Sequence, residues 1–290
     1  MRHARLLTEL GQRTAVVSSR DVDFPLRFDT LKAALAEHAP DYVVIANATN
    51  LHYDTLTTLR SQGYSGLVLV EKPLFDRYQP LPEGTGETLV GYNLRFHPVI
   101  QRLAQRLRSE RILSVQAYAG QYLPGWRPAT DYRESYSADA TRGGGVLRDL
   151  SHELDYLGWL LGGWTRVSAL GGHLSSLEIT SDDIFTLLMS TPGCPAVTLQ
   201  LNYLDRPGRR LLVINTDQHT IEADLVAGTL QVDGEREHFK SERDNTYRAM
   251  HEAALSTDRT TLCSLSEGLS TMKLIEAAEQ AASRGEWVSR

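Results

Sequence analysis

The chain has 290 residues, of which 41% are hydrophobic and 23% charged, and a formal charge of −6. This is an ordinary globular composition with room for two domains, and the mild negative charge excludes a nucleic-acid binder that relies on net charge. No apolar run approaches membrane-spanning length. "MRHARLL" lacks the apolar stretch of a secretory leader, and Cys194 and Cys263 show no metal-ligand spacing, so two reduced thiols in a cytoplasmic protein are expected, with no membrane or nucleic-acid partner.

In chain order, Leu6, Leu7 and Leu10 predict a helix over residues 2–10, closed by Gly11. "TAVVSS" (14–19) reads as a short buried-type strand. "LKAALAEHAP" (31–40) reads as a helix stopped by Pro40, and "DYVVIANATN" (41–50) as a strand ending in small polar residues. A helix over 51–63, a strand over 66–73 and a strand over 87–93 follow. Apolar strands alternating with helices call for a doubly wound parallel sheet. Beyond a basic amphipathic helix (95–110) the texture changes. "ILSVQAYAG" leads into a polar, aromatic loop, and "VLRDLSHELDYLGWLLGG" predicts one helix. Alternating strands then run to about residue 240. In "VTLQLNYL", Val197, Leu199, Leu201 and Tyr203 share one face and Thr198, Gln200 and Asn202 the other, as in an antiparallel sheet with one face packed. A helix over 267–285 closes the chain. The predicted organisation is an α/β domain over 1–95, then an α+β domain with a mostly antiparallel sheet over 96–290.

Ligands of an open parallel sheet bind beyond the carboxyl ends of its strands. Asn47, Thr49, Asn50 and His52 follow one such strand and suit a nucleotide, although Asn and Thr also favour plain turns. Glu71-Lys72-Pro73 follows another. Pro73 restricts the backbone of Lys72, and a lysine so placed could exchange a proton or merely cap the strand against solvent. After three glycines (143–145), Asp149, His152 and Asp155 fall at i, i+3 and i+6. On a single helical face, Asp149 could orient His152 as a proton-transfer pair; a solvated face is the commoner outcome. One histidine without cysteine help gives no zinc site, and no metal is expected.

"RHARLL", "DYVVIANATNLH", "LVEKP", "GYNLRFHP" and "GGGVLRDLSHELDYLGWLLG", in this order, resemble the glucose–fructose oxidoreductase/inositol dehydrogenase/rhizopine-catabolism (Gfo/Idh/MocA) family over nearly the whole chain. The resemblance implies a Rossmann-type fold and an NAD- or NADP-dependent oxidoreductase. It would pass a hydride between nicotinamide and a sugar, sugar nucleotide or cyclitol. It gives catalytic roles to Lys72 and His152, with Asp149 in support, at a spacing of three residues where the family commonly has four. Asp155 would bind substrate or orient the cluster, and Asn93 and Arg95, at the domain junction, would shape the cleft or join the domains. Trp126, Arg127, Tyr132 and Arg133 would line the substrate side, where arginines suit a carboxylate or phosphate, or the loop would serve oligomer contacts. Glu71 and Lys72 would also meet the cofactor. Ser18, Ser19 and Arg20, without the acidic residue that holds an NAD ribose, lean towards NADP. The polar-faced sheet suggests a homodimer or homotetramer.

Family members carry a strand and a G-x-G-x-x-G turn directly before such a first helix, where the pyrophosphate meets the helix N-terminus. Here the expectation is that on the order of a dozen residues are absent, through a misplaced start, because a missing central strand would open two sheet edges. The rival is a non-catalytic relative, a binding or assembly subunit that has lost nucleotide binding; retention of Lys72, Asp149 and His152 favours catalytic ancestry.

Overall fold

The structure is a computed structural model that describes residues 1–81 and 86–290. The first part holds α1 (Arg2–Glu9), β1 (Val16–Val17), β2 (Arg27–Phe28), α2 (Leu31–His38), β3 (Tyr42–Ile45), α3 (His52–Ser61), β4 (Leu67–Val70) and β5 (Thr88–Val90). Strands β3, β4 and β5 run parallel. All four residues of β4 are buried, as expected of a strand covered on both faces; each such aliphatic side chain contributes about 1.5–3 kcal/mol. The run over 14–19 behaves differently. Only Val16 and Val17 form strand, Val17 is 44% exposed, and the partner is β2, a two-residue strand with no signal in the sequence. Among the described residues, β1 and β2 pair with each other and not with the four-stranded sheet.

The remainder comprises α4 (Pro98–Leu107), β6 (Ile112–Gly120), α5 (Val146–Asp149), α6 (Ser151–Leu161), β7 (Arg166–Gly172), β8 (Ile184–Ser190), β9 (Ala196–Asn202), β10 (Arg209–Thr216), β11 (Thr220–Asp224), β12 (Thr229–Val232), β13 (Glu235–His238), α7 (Asn245–Leu255), β14 (Cys263–Ser264), α8 (Leu265–Arg284) and β15 (Val288–Ser289). Nine strands form one sheet in the order β13-β12-β11-β10-β6-β9-β8-β7-β15. Only the β6–β9 pair is parallel. Val197, Leu199, Leu201 and Tyr203 are buried under the helices while Thr198 and Gln200 face outwards, although Asn202 is buried too.

The predicted helix over "VLRDLSHELDYLGWLLGG" is two helices, because Leu150 (φ −99°, ψ 28°) leaves the helical region. Helix α7, which the sequence reading passes over, packs beside α1, and Arg2, Arg5 and Arg248 form ion pairs with Asp244 and Glu9 between the two. Strand β14 then adds antiparallel to β5 in the first sheet. Ser264 and Glu267 start α8 with reciprocal side-chain caps, which satisfy amide groups that a helix start otherwise leaves open. No helix among the described residues is long and apolar enough to cross a membrane.

Candidate active site

Buried β4 delivers Glu71 and Lys72 to its carboxyl end. Lys72 Nζ donates to the main-chain carbonyl of Asp149 at 2.6 Å. That carbonyl closes α5, where the break at Leu150 deprives it of an intrahelical donor. The Asp149 carboxylate, 4% exposed, accepts from Tyr136 Oη at 2.7 Å and Tyr203 Oη at 2.6 Å. Burial, and then the charge of Asp149, raise both phenols, so they remain donors. The three glycines allow this approach. A Cβ on Gly144 would overlap the Tyr136 carbonyl, and Gly145, at φ 116°, presses against Asp182, a conformation open to glycine almost alone.

His152 sits beside Lys72. Its ring meets the edge of Tyr92 with centroids 5.6 Å apart, and its Nδ1 is buried without a hydrogen-bond partner among the described residues. Burial, Lys72 and Arg210 hold its pKa well below the ordinary value. The imidazole is therefore neutral. The expected Asp149–His152 pair on one helical face does not form. The helix break separates them, and the Asp149 carboxylate is occupied by two tyrosines. Asp149 acts on the cluster through its carbonyl, and His152 is set by burial and two cations.

The expected cofactor residues divide. Asn47 and Asn50 are exposed and Thr49 half-buried beyond β3; Ser18 is half-buried and Ser19 and Arg20 exposed beyond β1. Arg20 has no ion-pair partner among the described residues, while nearby Asp21 pairs with Arg27. His52 does not belong with them. It is 1% exposed, its Nδ1 faces the carbonyls of Pro73 and Leu74 and its Nε2 that of Asn47. Burial lowers its pKa. It braces the segment behind Lys72 instead of meeting a nucleotide. Glu71 is likewise committed. Its carboxylate lies 2.8 Å from His3 Nε2 and accepts from the Lys72 amide. Burial would raise its pKa, but His3 and Lys72 bring it below the ordinary value. His3 Nδ1 in turn contacts His251 Nε2 at 2.9 Å, and His251 Nδ1 meets Tyr42 Oη at 3.1 Å.

On the substrate side, Asp155 and Arg95 are 2% and 1% exposed and form a two-pronged ion pair at 2.7 and 2.9 Å. Arg95 Nη1 also reaches Glu267 at 3.0 Å. Asn93 donates to Thr246 Oγ1. These three fasten the first sheet to α6, α7 and α8 and do not face the cleft. Trp126 packs edge-on against Tyr203, centroids 5.3 Å apart, and Arg127 lies over the Tyr136 ring, so both reach the tyrosines that clamp Asp149. Tyr132 lines the same small hollow as Trp126 and Arg127, but its hydroxyl turns to the Glu178 amide. Arg133 is exposed and bound to Asp131 and Glu178, away from Lys72. Sequence reasoning misses Tyr136, Tyr203, Tyr92 and Arg210 as site residues. Tyr136 had a signal in its place in the aromatic loop and Tyr203 in the packed face of its strand; Tyr92 and Arg210 reach the site through pairing of distant strands and helices.

Residues 100–230 match the family model described as the GFO/IDH/MocA C-terminal domain. A curated relative, 2,7-anhydro-N-acetylneuraminate hydratase of Mediterraneibacter gnavus, is 23% identical over 266 residues, covering 86% of this chain and 70% of the relative. The WlbA dehydrogenase from Bordetella pertussis, solved with NADH and UDP-GlcNAcA, superimposes with TM-score 0.81 at 17% identity, over 100% of this chain and 94% of that one. A levoglucosan dehydrogenase solved with NADH gives 0.84 at 15% identity, over 99% and 95%.

Proposed function

Taking as premise that this chain belongs to the Gfo/Idh/MocA family, we propose that it is a nicotinamide-dependent oxidoreductase acting on a hydroxyl, or the corresponding ketone, of a sugar, sugar nucleotide or cyclitol. The observation that carries the reading is the placement of Lys72 beside neutral His152 at the end of a buried strand. The ligands of the neighbours, NADH with UDP-GlcNAcA and NADH with levoglucosan, support it.

The donor set beyond β1 and β3 fits a nucleotide: exposed or half-buried hydroxyls and amides, and one cation with no ion-pair partner among the described residues. Ser18, Ser19 and Arg20 would hold the ribose side, with a lean to a 2′-phosphate, and Asn47, Thr49 and Asn50 the middle of the molecule. When bound, the nicotinamide takes up or releases the hydride. Lys72 donates a hydrogen bond to the substrate oxygen and stabilises charge developing there. His152, kept unprotonated by burial and neighbouring cations, accepts the hydroxyl proton during oxidation and returns it during reduction. Asp149 positions Lys72 through its carbonyl, and Tyr136 and Tyr203 fix Asp149. Trp126 and Arg127 border the sugar.

Nicotinamide fluorescence during titration of the 290-residue chain with NADH and NADPH tests cofactor binding. Binding of one or both is expected; a folded chain that binds neither overturns the reading. Lys72→Ala should abolish sugar-dependent turnover with little change in nucleotide affinity, and near-normal turnover would remove Lys72 from the mechanism.

A further inference from the structure

Arg210 is a second cation of this cluster, whose one task in the reaction above is to help keep His152 unprotonated. It is the second residue of β10, opposite Ala119 of β6, and shares the helix-covered face of the sheet with buried Leu212 and Ile214. There its Nε lies 2.6 Å from Oε1 of Glu153, whose side chain is fully buried while that of Arg210 remains 23% exposed. Tyr156 Oη donates to the same oxygen at 3.4 Å. Glu153 directly follows His152 on α6, so the guanidinium is anchored one residue from the proposed base. His97, buried on the other side, also has its pKa depressed, by burial and then by Arg210. Around Arg210, among the described residues, stand two neutral imidazoles and the Glu153 carboxylate, whose Oε1 meets Arg210 and Tyr156 while its Oε2 is buried without a hydrogen-bond partner.

The contrast with Arg95 is instructive. Arg95 is 1% exposed, and its donors go to Asp155, Glu267 and the Leu262 carbonyl. That guanidinium is closed. Arg210 has one buried anchor, and its terminal N–H groups are neither buried nor hydrogen-bonded among the described residues. Burying a carboxylate is costly, and a buried ion pair is weak evidence for stability. What Glu153 does achieve is to fix the direction of a planar, forked donor whose outer edge matches a carboxylate.

We propose that Arg210 reads a carboxylate on the substrate, so that the cleft takes an acidic sugar, with Glu153 as the positioning residue behind it. This rests on the reading above in placing the sugar between Lys72 and Arg210. The two can nevertheless fail separately.

The test is calorimetric titration of the 290-residue chain with D-glucuronate, N-acetylneuraminate, D-glucose and D-glucose 1-phosphate. At least one of the two acids should bind more tightly than D-glucose. Arg210→Met should weaken that acid tenfold or more and Arg210→Lys less, with D-glucose affected far less than the acid by either. Because Arg210→Met strands a buried carboxylate, the Arg210→Met/Glu153→Gln double variant repeats the measurement with that charge removed, and the same loss is expected. The proposal is overturned if neither acid binds better than D-glucose, if acid affinity survives in both Met variants, or if only the phosphate ester depends on Arg210. Acid binding that needs Arg210, with no Lys72-dependent turnover, keeps the anion site and sinks the redox reading. Lys72-dependent turnover of a neutral sugar, with no acid binding that depends on Arg210, does the reverse.

Discussion

Replacing Arg95 by methionine keeps much of the buried stem and removes the guanidinium from a closed knot. Asp155, 2% exposed, loses both prongs of its ion pair. Glu267 and the Leu262 carbonyl lose a donor as well, and Trp159 loses the cation lying 5.5 Å from its ring centre. Glu267 is 41% exposed and can turn to water; Asp155 cannot, so the cost comes mainly from its stranded charge. Removing one partner of a buried ion pair costs about 3–5 kcal/mol. At roughly 2–4 °C per kcal/mol for a chain of this order of size, Tm should fall by about 6–20 °C. Adding Asp155→Asn removes the stranded charge and should recover a large part of the loss. Circular dichroism melts of the wild type, the single variant and the double variant measure both quantities, with calorimetric sugar titration alongside. If Arg95→Met melts within about 1 kcal/mol of the wild type while sugar affinity collapses, Arg95 belongs to the substrate after all and the knot is incidental.

Two further outcomes follow from buried groups. His97 and His251 are both pushed down to about 4, the first by burial and Arg210, the second by burial and His3. The unfolded chain therefore binds protons below about pH 6.5 that the folded chain refuses. The stability present above that pH drains as pH falls towards 4, by up to about 3 kcal/mol for each residue. His97→Asn keeps a side-chain acceptor near the Val99 amide without the titration, so its urea midpoints at pH 7.5 and 5 should lie closer together than those of the wild type; unchanged spacing rules out His97 as a source. Tyr203→Phe leaves the Trp126 contact but removes a donor from the buried Asp149 carboxylate. A loss of about 1–3 kcal/mol is expected in urea unfolding, and wild-type stability would show that Tyr136 alone holds Asp149.

The parts of the molecule legible in the sequence are those written in local periodicity. "GLVLV" declares a buried strand because every side chain of β4 is apolar, and the alternation in "VTLQLNYL" declares a one-faced sheet. Short pairings escape such reading. β2 carries two residues, too few for a period, and β14 joins a sheet whose other members lie far away in sequence. The site follows the same rule. Lys72 and His152 can be picked out from the residues around them, whereas spacing at i and i+3 does not make Asp149 and His152 partners when Leu150 ends the helix between them. For Arg95 the resemblance leaves open a place in the cleft or a join between domains, and for Asp155 substrate binding or support of the cluster. Their burial is decided by packing between elements 60 residues apart. Arg210 is the converse case. Nothing in the residues around it marks it, and only the structure puts a buried carboxylate behind it and leaves its outer edge open. The two arginines thus take opposite roles, and the difference is whether the fold supplies enough acceptors to close the guanidinium. Where it supplies three, the arginine holds the protein together; where it supplies one, there are donors left for a substrate.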